Sequence, residues 1–81
     1  MPELIAIDTD YIKLDSLLKL ANLVMSGGEA KLLIQEGQIQ VNGRLETRRG
    51  CKLYPGDLVQ AAGRPPVQIA GAEQDYFETG R

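Results

Sequence analysis

Three basic side chains fall within five residues of one another in this chain, beside a glycine. Arg48 and Arg49 precede Gly50, and Lys52 follows Cys51. A guanidinium presents its N–H groups as a planar fork that fits two phosphate oxygens, and a lysine adds a point charge. Glycine leaves the backbone open to close approach. The segment predicts a phosphate-binding surface, and the alternative is an ordinary solvated run of charge.

A second candidate anion site is a predicted helix start. Ser26-Gly27-Gly28-Glu29 has the order of a capping box, in which serine and glutamate side chains accept from the first amides of a helix. The remaining free amides and the helix dipole attract phosphate, the glycines permit close approach, and Lys31 adds a charge one turn later. The alternative is that the serine only caps the helix and the glycines only form a tight turn.

A two-residue turn supplies the third candidate. Asn42-Gly43 is the strongest short hairpin signal, because both residue types tolerate positive φ, and Arg44 directly after it would extend a basic surface. Tyr11 and Tyr54 can stack on unpaired bases, but a tyrosine in so small a domain is more often a core residue. We therefore assign neither tyrosine to the site.

Apolar side chains at helical spacing predict two helices that position these candidates. The first has Asp15 as its cap or in its first turn and ends near Leu23. The second runs from about Gly27 to Glu36 and ends before Gly37, a natural left-handed terminator. The predicted buried stripes are Leu14, Leu17, Leu18 and Ala21 in the first helix and Ala30, Leu33 and Ile34 in the second.

Alternating or β-favouring residues between turn signals predict the strands. The predicted strands cover residues 4–7, 39–41, 52–54, 58–61 and 67–70. A further strand, which includes Leu45 and Thr47, returns from the hairpin turn after residue 41. Residues 72–81 show no useful period. We expect one domain over residues 1–71, followed by a disordered acidic tail over residues 72–81.

The composition excludes several kinds of chemistry. The chain of 81 residues has no histidine and one cysteine, which excludes Ser-His-Asp and Cys-His sites, the common zinc sets and an internal disulfide. So short a chain has little room for a substrate cleft. The longest apolar run, Leu4 to Ile7, has four residues, far below the ~20 that span a bilayer. We expect a cytoplasmic protein that is not an enzyme, with no cofactor, metal, membrane partner or small-molecule substrate.

The net charge of −2 hides an uneven distribution. Residues 13–64 carry eight basic and five acidic side chains, whereas the two ends together carry one basic and six acidic ones. A local basic surface matters more for binding a polyanion than the total charge does. The alternative is an ordinary scatter of surface charge.

The ordered set of motifs resembles a known domain. In order and spacing it resembles the alpha-L RNA-binding motif, the domain named for ribosomal protein S-four of the small subunit. Within that family it is similar to the small stand-alone bacterial subgroup of the YaaA and YbcJ type, in which Arg-Arg-Gly-x-Lys-Leu recurs. The resemblance runs from about Tyr11 to Val59. Its blocks are Lys13-Leu14-Asp15 with Leu18, Ser26 to Lys31, Gly37 with Val41-Asn42-Gly43, and Lys52 to Asp57.

This resemblance implies an α+β fold in which two packed helices lie against a small bent antiparallel sheet. It also implies a non-catalytic module that binds structured RNA, with ribosomal or transfer RNA as the expected target. Contacts would go to phosphates and shape, because duplex RNA hides its base edges in a deep groove. The resemblance implies that RNA is held along the start of the second helix and the loops beside it. The RNA-binding residues that it implies are Lys13, Gly27, Gly28, Lys31, Asn42, Gly43, Arg44, Arg48, Arg49 and Lys52.

One departure from the family and one rival function bear on this expectation. Many members carry arginine or lysine after the capping serine, where this chain has Gly27-Gly28, so a charge is missing there. The rival is a protein-interaction adaptor in a larger ribonucleoprotein assembly. The net negative charge of this chain and its predicted acidic tail would suit a basic partner, such as a ribosomal protein.

Overall fold

The described part of the chain, residues 2–71 of the computed structural model, contains two helices and seven strands. The predicted acidic tail lies outside the described residues, and the boundary at residue 71 stays a prediction. No helix within residues 2–71 is long and apolar enough to cross a membrane. The elements are β1 Glu3–Ile7, β2 Ile12–Lys13, α1 Leu14–Leu20, α2 Gly27–Gln35, β3 Ile39–Val41, β4 Arg44–Leu45, β5 Lys52–Leu53, β6 Leu58–Ala61 and β7 Val67–Gly71.

The strands form a mixed five-stranded sheet and a separate two-stranded ribbon. The sheet order is β1-β7-β6-β3-β4, and β2 pairs with β5 in the antiparallel ribbon. The α+β class with two packed helices is confirmed. The sheet differs from the expected antiparallel one in one respect, because β1 runs parallel to β7. Two parallel neighbouring strands need a long connection, and here the chain between β1 and β7 provides it. The alternation of apolar residues does not indicate whether a strand pairs parallel or antiparallel, so the sequence did not predict this pairing.

Helix α1 ends earlier than the pattern predicts. Its last residue is Leu20, whereas the apolar spacing suggested an end near Leu23. Asn22 adopts a left-handed φ of 61°, which stops the helix, and the Leu23 amide turns back to donate to the Leu18 carbonyl over 2.9 Å. Leu23 is therefore buried in the turn that follows the helix. The apolar residue at this position reflects burial in the core, not a further turn of helix.

Helix α2 has the predicted capping serine and a shifted version of the box. The Ser26 hydroxyl accepts from the Glu29 amide at 3.2 Å. The Glu29 carboxylate accepts from the Met25 amide at 2.7 Å, one residue before the expected donor. Both side chains thus satisfy backbone amides. The helix ends at Gln35, and the predicted terminator Gly37 has the left-handed φ of 76°.

The core lies between the two helices and one face of the sheet. The predicted stripe residues of α1 and α2 are buried, except that Ala21 and Leu33 are partly buried against the core. No polar or charged residue of the described part is buried. The buried apolar cluster comprises Ile7, Leu14, Leu17, Leu18, Leu23, Val24, Ala30, Ile34, Ile39, Leu53, Val59, Ala61, Val67 and Ile69.

The predicted Asn42-Gly43 hairpin turn is confirmed. Asn42 and Gly43 have φ values of 53° and 82°, as a type I′ turn requires. The Asn42 side chain also holds the neighbouring turn, since it donates to Asp57 at 3.1 Å and accepts from the Leu58 amide at 2.9 Å. The return strand β4 ends at Leu45, earlier than predicted, because the chain leaves the sheet there towards α1.

Truncation of one core side chain should destabilise the domain far more than truncation of its exposed neighbour. Ile34→Ala removes a fully buried side chain from α2 and should lower the free energy of unfolding by about 2–4 kcal/mol, through lost burial and a residual cavity. Leu32→Ala, at a position 54% exposed in the same helix, should change it by less than about 0.5 kcal/mol. Urea denaturation measures both, and equal losses would contradict this core.

The double role of Asn42 predicts an ordered pair of variants. Asn42→Gly loses the two side-chain hydrogen bonds, at about 1 kcal/mol each, but keeps the left-handed backbone without strain. Asn42→Ala loses the same bonds and adds about 1 kcal/mol for a side chain at positive φ. Alanine should therefore be the less stable variant in thermal unfolding. The opposite order would show that the turn tolerates another backbone conformation.

Candidate nucleic-acid interface

The β2–β5 ribbon sets two lysines directly opposite each other. Lys13 pairs with Lys52, and Ile12 pairs with Leu53. Successive strand residues point to opposite faces, so the partly buried Ile12 and fully buried Leu53 face the core while both lysines face solvent. Neither lysine forms an ion pair within residues 2–71. Like charges directly opposite one another destabilise a ribbon, so this arrangement does not serve folding.

Two tyrosines continue the same face of the ribbon. Tyr11 precedes β2 and Tyr54 follows β5, so they occupy the next pair of the register. Their ring centroids are 6.1 Å apart at an interplanar angle of 50°, and the Lys52 ammonium lies 4.7 Å from the Tyr11 centroid. We call Tyr11, Lys13, Lys52 and Tyr54 the ribbon face. The tyrosines are 36% and 48% exposed, so of the two alternatives that the sequence left open, a core position does not hold for either.

The ribbon face had a sequence signal that was missed. Tyr11-Ile12-Lys13 and Lys52-Leu53-Tyr54 have mirrored residue types, an arrangement that brings like residues opposite each other when two segments pair antiparallel. Each strand has only two residues, too few for alternation to reveal it. Only a comparison of the two distant segments reveals this face.

The segment after the hairpin wraps onto the amino end of α1. The Leu14 amide donates to the Cys51 carbonyl at 2.8 Å, and the Asp15 amide donates to the Arg49 carbonyl at 3.1 Å. Lys13 is the N-cap and makes no side-chain capping bond, so these loop carbonyls take over that role. Asp15 lies in the first turn, one of its two predicted positions. The docking brings Arg49 next to the ribbon.

Carboxylates partly balance the two arginines of this segment. Glu46 accepts from both the Arg48 side chain at 3.1 Å and the Arg48 amide at 2.9 Å. These bonds, the guanidinium bond first, lower the pKa of the Glu46 carboxyl, and Glu46 raises the pKa of Arg48. Arg49 lies 4.0 Å from Asp15. Desolvation, and next Glu46, raise the pKa of the Cys51 thiol, which disfavours the nucleophilic thiolate.

The hairpin turn joins the ribbon face through one carboxylate. Asp57 accepts from the Tyr54 amide at 2.8 Å and from the Asn42 side chain at 3.1 Å. A side chain added at Gly43 would meet no atom within 4 Å, so the turn is open to a ligand. Arg44 follows at the start of β4 and is exposed. The hairpin residues therefore lie at the same end of the domain as the ribbon.

The start of α2 lies towards the other end of α1. The loop before it is tied to the last turns of α1, where the Val24 amide donates to the Leu18 carbonyl at 3.3 Å. The seven-residue α1 is roughly 10 Å long, and the ribbon contacts its opposite end. Within residues 2–71, no hydrogen bond or ion pair joins Gly27, Gly28 or Lys31 to the ribbon face. The cations gather at the amino end of α1, and the α2 start forms a separate open surface.

A metal is not part of this arrangement as described. Residues 2–71 contain no group of three or more His, Cys, Asp or Glu side chains that could hold an ion. The side chains at the amino end of α1 offer two ammonium groups that form no ion pair within residues 2–71, two partly balanced guanidinium groups and two exposed aromatic rings. Ammonium and guanidinium groups bind phosphate oxygens, and aromatic rings stack on bases.

Comparison with known proteins agrees with this fold and with these motifs. A family model described as the S4 domain matches residues 5–69. The "Probable ribosome maturation protein RlbA" of Bacillus subtilis is 45% identical over 65 residues, which cover 80% of this chain and 92% of that protein. The "Putative RNA-binding protein YbcJ" of Escherichia coli is 45% identical over 60 residues, 74% of this chain and 86% of that one.

A solved structure gives the same result. The solution structure of YbcJ from E. coli, whose alpha-L motif is described as involved in RNA binding, superposes with a TM-score of 0.67 at 37% identity. The superposition covers 86% of this chain and 89% of YbcJ. The family model spans most of the chain, and the relatives match it over nearly their full length. On this fold, these motifs and these matches, the chain belongs to the S4 domain family.

Proposed function

We propose that this protein is a non-catalytic, cytoplasmic module that binds structured RNA, with ribosomal or transfer RNA as its target. The observation that carries the proposal is the unpaired Lys13–Lys52 couple on the outer face of the ribbon. A cross-strand pair of like charges costs stability in the free protein, and a phosphate backbone between the two ammonium groups relieves that cost. The printed names of RlbA and YbcJ support RNA as the polyanion.

The interface that we propose has a centre and an outlying part. The centre is the ribbon with Arg49, extended by the hairpin and Arg44 on one side and by Arg48 on the other. The open start of α2, with Gly27, Gly28 and Lys31, is the outlying part. Two parts towards opposite ends of α1 suit a ligand that is wide and rigid, which favours a folded RNA over a flexible strand.

The two carboxylates of the turn before Tyr11 form no ion pair with the lysines of the ribbon face within residues 2–71. These carboxylates belong to the exposed Asp8 and Asp10. Contacts to phosphates and shape need only an uncompensated local surface, and the total charge of −2 sets the long-range field. We therefore expect binding that is moderate in strength and strongly dependent on salt.

The salt dependence of affinity tests the proposed centre. If about four phosphates are neutralised, the logarithm of the association constant should fall with the logarithm of salt concentration at a slope of about −3 to −4. The double variant Lys13→Gln, Lys52→Gln should bind more weakly and flatten the slope by about 1.5. Fluorescence anisotropy with a labelled RNA hairpin measures both the affinity and its salt slope. A comparison of this affinity with that for a DNA hairpin of the same sequence tests recognition of the RNA shape.

Matched arginine variants sharpen this test. Arg64→Gln removes one charge from the depression that Arg64 lines with Glu29 and Leu33 of α2, which lies outside the proposed centre. It should change the slope much less than the lysine double variant does. Arg48→Gln should weaken binding less than Lys52→Gln, because Glu46 already balances Arg48. An unchanged slope in the lysine double variant would overturn the proposal.

The identity of the RNA needs a cellular measurement. Sequencing of RNA cross-linked to the full chain in cells should return fragments of ribosomal or transfer RNA. The lysine double variant, expressed to the same level, should lose them. An association with ribosomal particles that survives both nuclease treatment and the double variant would instead support the protein adaptor.

The Glu46–Arg48 contact predicts an acid transition in the loop. The folded-state pKa of Glu46 is lowered, so its contribution to stability is present above the unfolded value of about 4.3 and is lost as pH falls through the lower folded value. Amide NMR signals of the loop from Glu46 to Cys51 should shift together in that acid range. Glu46→Gln should remove this transition, and a transition that persists in the variant would assign it to another carboxylate.

A further inference from the structure

We infer that the ribbon face takes one unpaired base of the RNA, stacked on Tyr54, while Lys13 and Lys52 hold the phosphates on either side of that nucleotide. This inference rests on the proposed function and narrows its substrate class. The ligand would be a folded RNA with a bulged, looped or terminal nucleotide beside a helix. A continuous duplex would occupy only the basic part of the interface.

The register of the ribbon gives the first support. Tyr11 and Lys13 alternate with Ile12 along one strand, and Lys52 and Tyr54 alternate with Leu53 along the other. Since Leu53 is fully buried, its two neighbours must point away from the core. Two cross-strand pairs on the same face, on either side of the inward-facing Ile12–Leu53 pair, therefore present two aromatic rings and two ammonium groups. A nucleotide needs this combination, a flat surface for the base and positive charge for its phosphates.

The exposure of the rings gives the second support. Tyr54 is 48% exposed and Tyr11 is 36% exposed, so both rings are accessible to a ligand. The other exposed large apolar side chains of the described residues have no aromatic ring on which a base could stack (Leu4, Leu20, Met25, Leu32 and Leu45). At an interplanar angle of 50° and a centroid distance of 6.1 Å, the two rings do not stack face to face. The Lys52 ammonium lies over the Tyr11 ring. Tyr54 is thus the better stacking surface, and Tyr11 bounds the site while it orients Lys52.

The backbone around Tyr54 holds this ring in place before any ligand binds. Its amide donates to Asp57 at 2.8 Å, and the next turn is fixed by the Gly56 amide, which donates to Ile69 at 2.8 Å. The residue before it, Leu53, is anchored in the core. Because the backbone that carries the ring is already ordered, binding needs to order only the Tyr54 side chain, and less of the stacking energy is lost to conformational entropy.

The chemistry restricts which RNA can use the site. Bases inside an RNA helix already stack on one another and cannot reach a protein ring, whereas an unpaired base can. Every base has a flat aromatic face, so the site selects an unpaired nucleotide and discriminates weakly among the four bases. The lysines contribute equally to paired and unpaired RNA because both carry phosphates. The aromatic and basic parts of the ribbon face can therefore be tested separately.

Two RNA hairpins that differ by one nucleotide provide the experiment. One is fully paired, and the other carries a single bulged 2-aminopurine, whose fluorescence falls when it stacks. The full-length protein should bind the bulged RNA roughly 5- to 150-fold more tightly and quench its fluorescence. Tyr54→Leu should remove both effects, and Tyr11→Leu should reduce them less. Tyr54→Phe should retain them, because a phenyl ring still stacks.

The outcomes separate this inference from the proposed function. Equal affinity for the two hairpins, or quenching that survives Tyr54→Leu, would overturn the stacked base while the salt slope still supported RNA binding. Failure of both hairpins to bind, with no salt slope, would overturn the proposed function itself. The lysine double variant should weaken the binding of both RNAs by the same factor. Its urea midpoint should not fall, because the repulsion between Lys13 and Lys52 is removed. A general loss of folding would lower that midpoint.

Intrinsic fluorescence provides a second readout if Tyr54→Leu unfolds. The chain has three tyrosines and no tryptophan, so in the Tyr76→Phe variant the intrinsic emission comes from Tyr11 and Tyr54 only. Stacking of a base on Tyr54 should quench this emission with the bulged hairpin and much less with the paired one. Equal quenching by the two hairpins would contradict a site for an unpaired base.

Discussion

The candidate interface depends on how the amino end of α1 is satisfied. Leu14 is fully buried, so its amide would lie unpaired in the core at a cost of about 1–3 kcal/mol if nothing accepted from it. No side chain caps this helix. The carbonyls of Arg49 and Cys51 accept instead, which ties residues 49–51 to a helix that precedes them by more than thirty positions in the sequence. The same docking aligns β5 against β2 and so brings Lys52 opposite Lys13.

Local signals in the sequence predicted the elements well because each has a local physical cause. Ser26 and Glu29 satisfy amides within one turn, Gly37 ends a helix by its own backbone preference, and Asn42-Gly43 fixes a type I′ turn. The buried stripes of both helices follow from spacing alone. These features were right in position or within a residue or two. The strand boundaries were close for the same reason, except that β4 is shorter.

Features decided by tertiary contacts could not be predicted in the same way. The parallel pairing of β1 with β7 and the ribbon of two-residue strands depend on segments far apart in the chain. The candidate site followed the same division. The resemblance implied that the RNA-binding residues gather along the start of the second helix, but that start, at Ser26, shares no hydrogen bond or ion pair with Lys13 or Lys52 within residues 2–71. The exposure of Tyr54 could not be predicted because it is a property of the folded ribbon.

The repulsion between Lys13 and Lys52 links the stability of the free domain to the binding of a polyanion. Salt changes the two in opposite directions. In the free protein, mobile ions weaken the repulsion between the two ammonium groups and so favour the ribbon. In a complex with a polyanion, the same ions compete for those groups and favour dissociation. Folding of this small ribbon and occupation of its outer face are thus thermodynamically coupled, so a bound polyanion would act as part of the structure that holds β2 against β5.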